Sequence, residues 1–137
     1  MTAAKVFSAS STFASLDANG GVQTHEVSAA FWSQLSSGEL ALPGPYLMSF
    51  GESSGDWPHW EIHPSGEEVV MLIAGAGDFV LRLPGGDQTL RLEQPGDYVV
   101  VPRGTWHTYR QVDSQRATLL FITTGEGTTH SEDPPMP

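Results

Sequence analysis

What most limits the fold of this chain is its punctuation. From residue 59 onward, short apolar runs alternate with turn clusters: Gly75-Ala-Gly-Asp78, Pro84-Gly-Gly-Asp87, Pro95-Gly-Asp97 and Pro102-Arg-Gly104. Glycine supplies the positive φ, and proline the fixed φ, that tight turns demand, so no long helix can run through this region. The spacing predicts strands over residues 67–74, 79–83, 88–92, 97–101, 106–111 and 117–123. Short strands at such regular intervals argue for an all-β sandwich or barrel. Residues 46–50 read as one more strand, with Tyr46, Met48 and Phe50 on one face. The Gly75-Ala-Gly77 stretch reads as a hairpin and not as a phosphate loop, because no helix follows it to supply amide donors.

The ends of the chain differ from this middle. Residues 1–45 form an N-terminal extension, rich in Ser, Ala and Thr up to about residue 24 and without a sustained period. Within it, residues 26–36 place Val27, Phe31 and Leu35 four apart, with Ser28 as an N-cap and Gly38 as a stop, which predicts one short helix. Residues 124–137 are mostly Gly, Thr, Asp, Glu and Pro and are expected to be a loose tail. The barrel itself is expected over residues 46–123.

Two strands are apolar at every position, residues 69–74 and 119–122. Such strands are buried on both faces, so something must cover the outer one. The N-terminal segment and a second copy of the chain can both serve, and a homodimer packed through the sheet is the preferred expectation. Sixteen acidic residues against six basic ones give a formal charge of −10, and Lys5 is the only lysine. That balance argues against nucleic acid and anionic membrane surfaces as partners, since both need a basic stripe. With no cysteine, thiolate metal sites, disulfides and Cys nucleophiles are excluded. The longest apolar run, residues 69–74, is far short of the roughly 20 residues of a membrane helix. The N-terminus lacks the apolar stretch of a signal peptide, so a cytoplasmic location is expected.

Two clusters carry chemistry. In the first, His59, Glu61 and His63 alternate along an extended segment and so share a face, and a turn at Pro64-Ser-Gly66 returns Glu67 or Glu68 beside them. Two imidazoles and two carboxylates on one wall are costly to bury unless something compensates them, and a divalent cation would do so well. In the second, His107 opens a strand with Tyr109 and Gln111 on its face.

Together these resemble the two motifs of the cupin family. The first is matched by His63, four residues, Glu68, six residues, Gly75; the second by Gly96, five residues, Pro102, Gly104, two residues, His107. The resemblance implies a double-stranded β-helix, a jelly-roll-like barrel, holding one divalent transition metal (Fe, Mn, Ni or Zn). It implies His63, Glu68 and His107 as three of the ligands. The position of the fourth, usually a histidine, is Glu61 here, and the Asn that usually closes the second motif is Gln111. Glu61 in place of an imidazole hardens the set and moves the expectation toward Mn or Fe and away from Cu. Glu61 is either that fourth ligand or a hydrogen-bond acceptor behind an imidazole, and His59 either substitutes for it or lies at the rim. His25 and His130, in the terminal segments, carry little weight.

The expected pocket has His59, Met48, Val70, Leu72, Tyr109 and Gln111 around the metal set, suited to a small, mostly apolar molecule with a carboxylate or enol oxygen. Members of this family include dioxygenases, isomerases, decarboxylases and pure binding proteins, so fold alone does not choose among them. The leading expectation is a metal-dependent enzyme with dioxygenase-like or related lyase or isomerase chemistry. In it, Glu61 is a ligand or general base and Tyr109 donates a hydrogen bond to substrate. The alternatives are a non-catalytic binding or sensing module and a structural barrel.

Overall fold

A computed structural model describes residues 4–136. The elements in chain order are β1 (Thr12–Leu16), β2 (Val22–Glu26), α1 (Phe31–Ser37), β3 (Tyr46–Ser53), β4 (Trp60–Ile62), β5 (Glu68–Gly75), β6 (Gly77–Leu83), β7 (Gly86–Leu92), β8 (Tyr98–Val101), β9 (His107–Gln111), β10 (Ala117–Thr124) and β11 (Thr129–Ser131). They form two antiparallel sheets, one ordered β2-β1-β3-β10-β5-β8 and the other β11-β4-β9-β6-β7. The protein is an all-β sandwich with one short helix, as expected.

Between the sheets lies a core of Val70, Leu72, Phe79, Leu81, Leu92, Val101, Tyr109 and Leu119. Alternation decides which residues enter it. In β5, Glu68, Val70 and Leu72 are buried while Val69 and Met71 are not, as period 2 requires of a strand packed on one side. Gly77 must lack a side chain because a Cβ there would collide with the Tyr109 ring.

The chain crosses from sheet to sheet at most turns. Pro84-Gly-Gly-Asp87 makes a true hairpin between β6 and β7, but Gly75-Ala-Gly77 does not. Strands β5 and β6 belong to different sheets, so this turn is a corner between layers and not the expected hairpin. Gly75 sits at φ 85°, and a Cβ there would collide with the Arg116 carbonyl. Both the angle and the close approach therefore require glycine.

The N-terminal segment is more ordered than its composition predicts. β1 and β2 form a hairpin and join β3 in the larger sheet. Their turn is set by Asp17, whose Oδ1 accepts from the amides of Asn19 at 2.8 Å and Gly21 at 2.7 Å. Two changes apply to the expected helix. It starts at Phe31, five residues later than expected, because β2 takes Glu26 and residues 27–30 lie outside the helix, and Ser28 is not the cap, which is Ala30 with no side-chain hydrogen bond. Gly38 does end the helix, in a left-handed C-cap at φ 84°. Phe31 packs with Phe13 and Leu47, flanked by Val27 and Leu35, in a second apolar cluster. At the other end, residues 129–131 of the expected loose tail form β11, paired with β4.

Candidate metal centre

The two motifs meet through backbone pairing. In the smaller sheet Glu61 of β4 lies directly opposite His107 of β9, and His130 of β11 lies opposite Glu61 on its other side. Residues paired in this way share a face, so His130, Glu61 and His107 form one row across the sheet. His63 follows β4 on the same face, and its carbonyl accepts the Gly104 amide at 3.0 Å. That bond ties the second motif's turn to the first. Glu68 reaches in from the larger sheet at the start of β5.

Four side chains converge here. His63 Nε2 lies 3.2 Å from Glu61 Oε1 and 3.3 Å from Glu68 Oε2. His107 Nε2 lies 3.3 Å from Glu61 Oε1 and 3.2 Å from Glu68 Oε1. The donor atoms of all four fall within 4.8 Å of one another. His63, Glu68 and His107 are buried, and Glu61 keeps 14% of its side chain exposed, which marks the open side of the centre.

The outer contacts fix how these groups face inward. His107 Nδ1 lies 3.0 Å from the Thr105 carbonyl. A carbonyl only accepts, so Nδ1 carries the hydrogen, and a neutral His107 turns the bare lone pair of Nε2 toward two carboxylates. Lone pair facing carboxylate is repulsive unless a cation stands between them. His63 Nδ1 shares a 2.9 Å hydrogen bond with Thr128 Oγ1, and Thr123 Oγ1 donates to Glu68 Oε2 at 2.6 Å. Glu68 Oε1 is buried with no hydrogen-bond partner; its 3.2 Å approach to His107 Nε2 is a short distance without the line of an N–H bond. An orphaned carboxylate oxygen and two converging imidazole nitrogens fit a divalent cation of the 2-His–carboxylate type.

In the cation's absence a proton takes that role. Burial disfavours the imidazolium, but the hydrogen bonds with Glu61 and the close negative charge of Glu61 and Glu68 outweigh it and raise His63 to about 9 and His107 to about 10. Burial likewise opposes ionisation of Glu61 and Glu68, yet the imidazoles held against them keep both below the usual carboxylate range.

The other residues of the expected pocket fall in different places. Val70 and Leu72 point inward, as expected, and are fully buried in the hydrophobic core. Met48 pairs with Ile122, which pairs with Val69, so it lies on the outer face, opposite Glu68. Tyr46, Met48 and Phe50 do share a face, but it is that outer one. Tyr109 is inward and fully buried. Its hydroxyl, however, lies over Gly77, which pairs with Gln111, whereas His107 pairs with Leu81 at the other end of β6. The hydroxyl points away from the centre and cannot donate to a ligand there. Gln111 holds a loop: its Oε1 accepts the Gly55 amide and its Nε2 donates to the Asp113 carbonyl at 2.9 Å. Glu67 is exposed.

His59 lies at the rim, stacked on Trp57 with ring centroids 5.6 Å apart. Burial and the neighbouring His130 lower its pKa. His130 is the residue that sequence reasoning passed over. Its Nε2 lies 3.0 Å from Glu61 Oε2, and only the pairing of β11 with β4 brings it there. A Thr-Thr-His-Ser stretch with strand propensity was the available signal.

The family model described as a cupin domain matches residues 47–123. No curated protein matches the chain. Among solved structures it is similar to a cupin-2 domain containing protein from Shewanella frigidimarina, at 23% identity and TM-score 0.49 over 61% of this chain and 74% of that one. It is also similar to a variant of Bacillus subtilis oxalate decarboxylase, at 17% identity and TM-score 0.53 over 64% of this chain. There the match spans 23% of the longer protein. A third is Peruvianin-I, a cysteine peptidase from Thevetia peruviana latex, at 18% identity and TM-score 0.51 over 62% of this chain and 55% of that one. These likenesses concern the fold. With more than half of its length matched by the family and both motifs folded onto one sandwich, the chain belongs to the cupin-domain family.

Proposed function

We propose that this cupin holds one divalent transition metal on Glu61, His63, Glu68 and His107 and, with it, acts as an enzyme on a small organic molecule carrying a carboxylate or enol oxygen. The observation that carries the reading is His107: its Nδ1 is committed to the Thr105 carbonyl, so its Nε2 is free to bind a cation beside two carboxylates. A hard carboxylate-rich set favours Mn or Fe. Bound there, such a metal supplies Lewis-acid polarisation of a coordinated oxygen or activation of dioxygen. The chain's own residues do the rest. Thr105 and Thr128 fix the imidazole orientations, and Thr123 sets the Glu68 carboxylate. Glu61, the member nearest solvent, is placed to be a ligand or, off the metal, a general base at the entrance.

The filled core behind the centre limits the reacting molecule to the rim around Glu61, which favours a small substrate. Oxygen uptake by Mn- or Fe-loaded protein, screened with diketones, phenolic acids and short carboxylic acids, tests the proposal against a His107→Ala control. Turnover lost in the control is expected. Tight ligand binding without turnover would replace the enzyme by a binding or sensing module.

We further infer a homodimer through the outer face of the larger sheet. There Ile73, Tyr98 and Val100 are 41%, 59% and 46% exposed beside the half-buried Val69, Met71, Leu120 and Ile122. The N-terminal segment packs mainly around Phe13, Phe31 and Leu47 and leaves these side chains uncovered. A contiguous apolar face of this kind on a chain otherwise rich in acids is the expected mark of an interface.

A further inference from the structure

Glu61 faces two groups of histidines at once. Its Oε1 lies 3.2 Å from His63 Nε2 and 3.3 Å from His107 Nε2, while its Oε2 lies 3.0 Å from His130 Nε2. His59 stands beside His130, with ring centroids 5.0 Å apart and planes at 74°. Ligand atoms of His59, Glu61 and His130 all come within 4.8 Å of one another. The structure thus has two histidine–carboxylate groups that meet on a single residue.

We propose that His59, His130 and Oε2 of Glu61 form a second divalent-metal site, outside the inner one, with Glu61 bridging the two. The proposal rests on the reading of the inner group as a metal centre. Three observations carry it. First, two imidazoles and a carboxylate are a sufficient donor set for Zn, Fe, Mn or Ni, with positions left for water or substrate. Second, both histidines are held in place. The His59 ring is stacked on Trp57, and its carbonyl accepts from Thr108 Oγ1 at 2.8 Å; His130 is held opposite Glu61 by the β4–β11 pairing. Third, the bridge depends on glutamate at position 61. A histidine there could reach an outer ion only through its second ring nitrogen, as a deprotonated imidazolate aimed away from the first, whereas a carboxylate offers two adjacent oxygens, which here point to different partners.

The outer site is also accessible. His130 keeps 55% of its side chain exposed, so an ion and its waters can exchange without opening the barrel. Of the outer site's three residues only His130 lies outside residues 47–123, the part matched by the family, and comes from the C-terminal segment. An outer ion next to the entrance would draw a carboxylate-bearing molecule to the rim and leave one of its oxygens for the inner metal.

The test is metal stoichiometry on the full chain, stripped with chelator and titrated with Zn(II) by calorimetry, with bound metal counted after gel filtration. Two equivalents are expected for the unaltered protein. One is expected for His130→Ala, for the His59→Ala/His130→Ala double variant, and for Glu61→His, which keeps an inner donor but removes the bridge. With Mn(II), the paramagnetic resonance spectrum should show an exchange-coupled pair that is absent from Glu61→His. A single equivalent in the unaltered protein, sensitive to His63→Ala but not to His130→Ala, overturns the outer site and leaves the inner one standing. A second equivalent that survives the double variant also overturns it, as binding elsewhere. No bound metal at all removes both sites.

Discussion

His107 shows how much one hydrogen bond can decide. The Thr105 carbonyl assigns its tautomer, and the tautomer determines that the space among Glu61, Glu68 and the two imidazoles holds a positive charge, metal or proton. The metal-free protein therefore has a defined pH response. His63 and His107 are raised to about 9 and about 10, above the roughly 6.5 of an unfolded histidine. A group raised on folding contributes stability that is complete below its unfolded value and is lost as pH rises through its folded value. Thermal unfolding of chelator-treated protein should therefore show a falling midpoint from about pH 7 to pH 10, with a shallower fall in His107→Ala. Glu61 and Glu68, lowered on folding, act at the acid end, where stability drops as pH falls below about 4.3. Because protons and metal compete for the same atoms, metal affinity should rise across the same alkaline interval. A midpoint unchanged between pH 7 and pH 10 would contradict this account.

At the scale of elements, corners do more than strands to build the centre. β5 and β6 lie in different sheets, and Gly75 makes the turn between them against the Arg116 carbonyl. Gly75→Ala should cost at least about 2 kcal/mol through positive φ and a backbone collision together, read by chemical denaturation. A loss under about 0.5 kcal/mol would show that the corner relaxes freely. The strands from β5 to β10 were legible from sequence because glycine and proline mark both ends of β5 to β8, the start of β9 and the end of β10, and the polar residues 113–116 separate the last two. So were Glu61, His63, Glu68 and His107 as a group, because extended spacing and two fixed motifs put them on inner faces. β1 and β2 were not, since Val22, Gln23, Thr24 and Glu26 make no apolar pattern and β2 is held by pairing on one edge. His130 and Thr128 were missed for the same reason: a three-residue strand exists only through its partner β4. The Met48 error was one of parity. Alternation says which residues share a face, but only the register Met48–Ile122–Val69 says that the face is the outer one.

The whole molecule combines an acidic composition, an apolar outer sheet face and a candidate metal centre whose most exposed member is Glu61. If a second copy covers that face, Val100→Glu should halve the mass seen by analytical ultracentrifugation while leaving the circular dichroism spectrum unchanged; an unaltered protein that sediments as a monomer at high micromolar concentration would refute the dimer. The metal remains the central claim, because the proposed chemistry and the outer site both depend on it. The direct measurement is metal content by plasma mass spectrometry on protein purified without a metal-affinity tag, beside His63→Ala. A transition metal bound to the unaltered protein and lost from His63→Ala is the predicted result. Equal metal content in the two proteins, or none in either after incubation with Mn(II), Fe(II) and Zn(II), would contradict it.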